Sequence, residues 1–314
     1  MRIGLVMDAT CDLPLEFVQK NNITVLPILV NVEGETFADQ RDPVETQRFL
    51  DSNMGSRSHG AETTPYSSEE VMQLFMERLV IDFDCVFCFT ITATRSPVFE
   101  QVNKASFAIL KNYRPARQEA GVPGPFLMRV IDTQTLFAGS AIPVIEAVRL
   151  LETEQSPGQM RERLEQVAQN THGFLIPRDL NYLRQRARKR GDRSIGLVGA
   201  TLGSALDIKP ILRGWRGNTE PMTKVRSFEG AAETLFKHIE DRIRHGLMVP
   251  VVSLSYGGDL DVMHHLPGYD DLRRTCSDHG IDVMECPMSI TGMANTGQGG
   301  LCAGFASEPY EANF

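Results

Sequence analysis

Three loops in the first half of the chain place hydroxyls and carboxylates just ahead of helical patterns: "DATCDLP" (8–14), "TATRSPVFEQ" (92–101) and "DTQTLFAGS" (132–140). Ser, Thr and Asp cap helices, and capping alone accounts for any one such loop. Three of them following strands of one sheet also make a hydroxyl-lined site, because open α/β sheets bind ligands outside the carboxyl ends of their strands. Ser96-Pro97 reads as an N-cap followed by Pro at the first helical position. The free N–H groups of such a helix start suit an anion. Thr63-Thr64 precedes another helix and adds two hydroxyls. Together these donors would satisfy a carboxylate without a full salt bridge. A second chemistry is open to the same cleft. Asp8, Asp12 and Asp132 at strand ends would serve as acid–base groups or bind Mg²⁺ in a hydroxyl- or carboxylate-based transferase or hydrolase.

Other motifs narrow the field. The chain has no GxxxxGKS/T, GxSxG or HExxH pattern. "GLVGATLG" (196–203) follows a basic helix rather than a first strand and is a weak dinucleotide fingerprint. Cys85 and Cys88 sit inside "DCVFCFTI", a strand pattern, with no second ligand pair at matching spacing, so they read as core cysteines and no metal is expected. "NTGQGGLCAG" (295–304) is a tight turn into the last strand, or a place of close backbone approach to a ligand. The run Arg184, Arg186, Arg188, Lys189, Arg190 reads as a solvated helix face or as a docking patch for an acidic or phosphate-bearing partner.

The elements that must position these residues alternate in type. Strands are expected over 2–7, 23–30, 85–91 and 126–132, and helices over 14–21, 43–53, 67–80 and roughly 139–152. Ser67 with Glu70 fits a capping box. This alternation predicts a parallel sheet with helices on both faces. "YRPARQEAGVPGP" (113–125) reads as a surface loop. "TEQSPGQ" (153–159) reads as a boundary between an N-terminal α/β domain, 1–155, and a second mixed α/β domain, 156–314. The second half carries helices over 160–170, 179–190 and 229–245. Its strands are expected near 208–213, 219–226, 249–255, 281–286 and 300–306.

Bulk properties agree with a soluble globular chain. It has 314 residues, 42% hydrophobic and 23% charged, long for a single core. A net charge of −8 argues against nucleic-acid binding as the main role. The N-terminus lacks a signal-peptide pattern, and no apolar run approaches the ~20 residues of a membrane helix. A cytoplasmic protein is expected, and six scattered cysteines are not a disulfide framework.

One apolar run, "LDIKPIL" (206–212), carries Lys209 beside Pro210, tolerable at a strand start, an edge or a site. With "DATCDLP" and "GNTEPMTKVRSFEGA" (217–231), this run resembles the DegV family of bacterial fatty-acid-binding proteins. The family's Asp-Ser-x-x-Asp-Leu-Pro is met by Asp8 to Pro14, and its Ile-Asp-Ser/Thr by Ile131, Asp132 and Thr133. Leu-x-Ile-Lys-Pro-Ile-Leu followed by Gly and Lys-x-Arg is met by Leu206 to Leu212, Gly217, Lys224 and Arg226. Thr-Ser-Gln-Pro-Ser is met in part at Thr63 to Ser67. Ser-Ser-x-Leu-Ser-Gly-Thr-Tyr aligns with Thr92 to Phe99, keeping Ser96 and an aromatic residue at Phe99. The C-terminal His-Thr-Gly-Pro-Gly turn becomes Asn295 to Gly299.

The resemblance covers nearly the whole chain. It implies two α/β domains with a long-chain fatty acid in a tunnel between them. The carboxylate would lie on Ser96 and on Thr63 or Thr64, near Asn295. Asn295 donates a hydrogen bond but carries no charge. Lys209, Arg226 and Arg193, the last standing in for a family Gly-Gly-Arg turn, are candidates for headgroup or partner contacts. Lys209 also reads as a structural lysine snorkelling from a strand end. The resemblance further implies a non-enzymatic carrier with no cofactor, no catalytic residue and a separate fatty acid kinase as partner. Such a kinase would convert the bound carboxylate to an acyl phosphate. Burying CH₂ groups contributes about 0.8 kcal/mol each, so a C16 tail offers on the order of 10 kcal/mol before binding costs.

Overall fold

The structure is a computed structural model and describes residues 1–54, 60–189, 207–312 and 314. The first half runs β1 (Ile3–Asp8), α1 (Leu15–Lys20), β2 (Thr24–Leu26), β3 (Ile28–Val32), β4 (Glu35–Asp39), α2 (Pro43–Ser52) and β5 (Glu62–Pro65). It continues through α3 (Ser68–Leu74, extended by a π turn to Asp82), β6 (Cys85–Thr90), α4 (Val98–Glu119), β7 (Leu127–Asp132) and α5 (Ala138–Leu151). The second half holds α6 (Pro157–Gln169), β8 (Thr171–Ile176), α7 (Leu180–Lys189), β9 (Ile208–Trp215), β10 (Asn218–Arg226), α8 (Phe228–His245) and β11 (Val251–Tyr256). It ends with α9 (Leu260–His264), α10 (Tyr269–Asp278), β12 (Asp282–Pro287), α11 (Ile290–Thr296) and β13 (Leu301–Ala306).

Strands β2-β1-β6-β7 form a wholly parallel sheet. Alternation along β1 sends Leu5 and Met7 into a core with Ile142 and Ile145 of α5 and Leu164 of α6. Val6 points the other way, with Val71 of α3 and Val102 and Ile109 of α4. Helices therefore cover both faces, as the strand–helix alternation requires. A second sheet, β10-β9-β8-β13-β11-β12, is antiparallel except for the β11–β12 pair. Phe236 and Ile239 of α8 and Leu272 of α10 pack on one of its faces. Helix α5 packs on β8, β11 and β13 and also touches β1 and β6, so it lies between the two sheets.

The run "ITVLPILV" is two strands, not one. Pro27 has no N–H for a ladder, and the chain changes sheet there. β2 stays in the parallel sheet, while β3 joins β4 and β5 in a third, antiparallel sheet. The segment 113–125 is a surface loop only from residue 120 onward. Helix α4 runs on to Glu119 through Pro115. Arg117 holds that turn in place: buried, it donates to the carbonyls of Val80, Phe83 and Pro123 and pairs with Asp84 at 3.0 Å. Lys209 sits at the start of β9, bonded to Asp207 and to the Arg178 carbonyl, both at 2.8 Å. Pro210 precedes the stretch of β9 that pairs with β8. Leu206 and the 196–203 glycines lie outside the described residues.

Helix α5 reaches the second sheet only because three glycines meet there. Gly139 of α5 faces Gly173 of β8 and Gly304 of β13, which are paired across the ladder. A Cβ on Gly304 would lie 2.5 Å from the Gly139 Cα and 2.6 Å from the Ala138 carbonyl. The obstruction is backbone and has no rotamer with which to yield. Gly304→Ala is expected to lower stability by at least about 1–3 kcal/mol, read from urea unfolding. An unchanged midpoint would show that the helix–sheet contact is looser than described.

Candidate functional site

A cavity of about 410 Å³ opens where the three sheets converge. Loops at the carboxyl ends of the parallel sheet supply Thr10, Ile91, Arg95, Ser96, Leu136 and Phe137. Ile28, Thr63 and Pro65 come from the third sheet. Leu175 and Leu212 come from the second sheet, Leu183 and Arg186 from α7, and Asn295 from α11. The lining is largely aliphatic and carries six Ser and Thr hydroxyls, one amide and two guanidinium groups.

The loops that form the cavity are pinned by carboxylates. Asp8 accepts from the Thr10 N–H (2.9 Å), from the Thr10 hydroxyl and from the Ile91 N–H (2.6 Å). Asp132 accepts from the N–H groups of Gln134 (2.8 Å) and Ala93 (3.2 Å). Asp12 accepts from Arg41 (3.2 Å), the Ser289 N–H (2.9 Å) and the Ser255 hydroxyl (2.6 Å). Asp8 and Asp132 thus spend their oxygens chiefly on loop N–H groups, and Asp12 on Arg41, Ser255 and the Ser289 N–H. None of the three lines the cavity, which removes the geometric support for acid–base or Mg²⁺ chemistry by this trio. Cys85 and Cys88 belong to different cores on opposite faces of β6, so they share no ligand position.

Behind the cavity lies a buried charge cluster. Arg41, between β4 and α2, is held in a left-handed conformation (φ 63°). Besides Asp12 it donates to the Pro287 carbonyl (2.8 Å) and contacts Cys286 Sγ (3.3 Å). Burial pushes the Cys286 thiol up to about 12. Asp39 accepts from the Thr291 N–H at 2.8 Å. Burial, only partly countered by Arg41 and that N–H, pushes the Asp39 carboxyl up to about 6.

Of the residues singled out from the sequence, Thr63, Ser96 and Asn295 are brought to one cavity. Thr64 is not. Thr63 pairs with fully buried Val30, while Thr64 pairs with Leu29 on the opposite, exposed face of β5. Lys209 and exposed Arg226 also lie outside the cavity lining. Arg193 and Arg190 are outside the described residues. The helix after Ser96 begins at Val98, with Pro97 already helical; Ser96 Oγ accepts a long 3.4 Å bond from the Val98 N–H. Asn295 is engaged on both sides: its amide donates to the Thr291 carbonyl (2.8 Å) and its oxygen accepts from Arg186 (2.9 Å).

The basic run does not form a solvated face. Arg188 and Lys189 are exposed, but Arg184 is half-buried and Arg186 is buried, lining the cavity and donating to the Ala61 carbonyl. Sequence reasoning missed Arg95 and Arg186. The signal for Arg186 was its place at i+3 and i+4 from Leu183 and Tyr182, the apolar stripe of α7. Desolvation lowers the basicity of both guanidinium groups.

An α/β chain whose sheets converge on one mainly aliphatic, hydroxyl-bearing cavity has the form of a small-molecule-binding protein. More particularly, the chain belongs to the DegV family: the family model described as "Uncharacterised protein, DegV family" matches residues 2–308. A DegV domain-containing protein of Xanthomonas axonopodis pv. citri is 53% identical, with 99% of each chain covered. A fatty acid-binding protein of Thermotoga maritima is 23% identical over 99% of each chain. The fold matches that of a stearic acid-binding protein from Eubacterium ventriosum, with a TM-score of 0.74, 20% identity and coverage of 97% and 98%.

The Asp39 carboxyl gives the fold a pH dependence of definite sign. Its pKa is higher folded (about 6) than the ordinary 3.8, so the folded state holds the proton more tightly. Stability from this group is complete below about pH 4 and is lost as pH rises through about 6, by on the order of 3 kcal/mol. Asp39→Asn keeps an oxygen acceptor for the Thr291 N–H but cannot ionise. Urea unfolding at pH 4, 5, 6 and 7 should show a flatter profile for the variant. Parallel profiles would mean that Asp39 does not titrate in this range.

Proposed function

We propose that the protein is a fatty-acid carrier that takes one long-chain fatty acid, tail among Ile28, Leu136, Phe137, Leu175 and Leu212, carboxylate toward Thr63 and Ser96. The single observation that carries this reading is the cavity itself. Its volume falls in the roughly 300–1,000 Å³ range of ligand sites. Its lining combines aliphatic side chains with polar ones, and Thr63, Ser96 and Asn295 among the polar ones are the hydroxyl and amide residues that the family pattern assigns to a carboxylate. The names of the family relatives support the same ligand class. On this reading the halves 1–155 and 156–314 close on the lipid from either side, and the protein works in the cytoplasm. A separate kinase then phosphorylates the presented carboxylate, so the carrier itself performs no chemistry.

Native mass spectrometry of the purified chain, followed by denaturation and organic extraction, is expected to show one fatty acid per chain. A chain that is empty and takes up neither palmitate nor oleate would overturn the reading. The double variant Thr63→Val/Ser96→Ala removes two donors to a charged group, each of about 1.5–3 kcal/mol. Palmitate affinity should fall about tenfold or more, while Thr64→Val, on the exposed face, should leave it unchanged.

A further inference from the structure

We propose that a second cleft, separate from the lipid cavity, is a docking groove for a basic, amphipathic segment of a partner protein. The cleft has a volume of about 890 Å³ and shares no lining residue with the lipid cavity. It lies between the starts of α1 and α9, one side of α2 and the end of β12. It is independent of the carrier reading, because a chain that held no lipid would still present this groove.

Four carboxylates reach this lining from four elements: Glu16 from α1, Asp51 from α2, Asp259 from the N-cap of α9 and Glu285 from β12. Glu285 is answered from within the chain, by Tyr269 (2.7 Å), His264 (3.3 Å) and Arg273 (3.7 Å). Asp51 and Asp259 accept from neutral neighbours, Gln47 Nε2 (2.7 Å) and the Asp261 N–H (2.9 Å). Among the described residues, neither of them nor Glu16 has an ion pair. Arg41, the one cation among the described lining residues, is already paired with Asp12. Carboxylates gathered in a concave wall reinforce one another's field and draw in positive charge. Two observations favour a peptide over a small cation. Two of the elements that form the cleft carry exposed apolar residues: Val44 on α2, next to the lining Pro43, is 75% exposed, and Val262 on α9, two residues past the lining Leu260, is 51% exposed. Aliphatic residues beside an acidic groove suit an aliphatic anchor flanked by lysine or arginine. The Arg41 side chain, 5% exposed, has no acceptor at Nε among the described residues, its terminal nitrogens going to Asp12, Leu13 and Pro287. A peptide brings main-chain carbonyls as acceptors, whereas a polyamine brings none.

The test is panning of the full-length protein against a random short-peptide display library, after depletion on the charge-reversed variant Glu16→Lys/Asp51→Lys. Both residues are exposed, so the variant should fold. Enriched peptides are expected to join several Lys or Arg residues to an aliphatic one. The leading peptide, synthesised and followed by fluorescence anisotropy, should bind the reversed variant about tenfold or more weakly than the wild type, with a smaller gap at raised salt. Glu119→Lys/Glu154→Lys adds the same charge at exposed positions outside the cleft and should stay within about threefold of the wild type. Val44→Ser/Val262→Ser should cost about three- to tenfold. Equal binding to the wild type and the cleft-reversed variant, equal losses in the two charge-reversed variants, or unchanged affinity in the valine variant would overturn the proposal. Enrichment of peptides without basic residues, or of none, would also overturn it. Displacement of the peptide by equimolar spermine would assign the groove to a small polycation instead.

Discussion

The buried pair between Arg41 and Asp12 is the constraint on which the other parts of the site depend. Asp12 belongs to the loop after β1, Arg41 to the crossing from β4 to α2, and the remaining partners, Ser255, Pro287 and Ser289, to strand ends of the second sheet. All three sheets are thus tied at one point. A buried charge without its partner costs several kcal/mol, so the three loops cannot separate independently. The left-handed conformation of Arg41, unfavourable for a residue with a side chain, is sustained by those contacts. The same cluster sets the cavity wall, because Asp39, two residues before Arg41, fixes the first turn of α11. Asn295 stands one turn further along that helix.

Helix α5 provides the second constraint. A helix serving two sheets must approach one of them closely, and close approach is possible only where Cβ atoms are missing. Gly139, Gly173 and Gly304 provide that patch. Leu136 and Phe137, which begin the turn into α5, are thereby delivered to the cavity. The apolar part of the site is set by helix–sheet packing, and its polar part by carboxylates that hold loops. The two are specified by different residues, so either part can change in sequence without dismantling the other.

The parallel sheet was legible because its strands are long apolar runs punctuated by capping loops. The third sheet was not, because "ETFAD" and "ETTP" are short, partly exposed and too polar to stand out. β8 was missed for the opposite reason. "THGFLI" is buried on both faces and so shows no alternation, and its His172 and Gly173 disguise it as a loop. The hydroxyl half of the site, Thr63 and Ser96, could be read from residue type, but choosing Thr63 over Thr64 needed the register of β5 on β3. Arg95 and Arg186 escaped because a cation in a sequence reads as surface. Only the burial of α7 and the pinning of the 91–97 loop turn them inward.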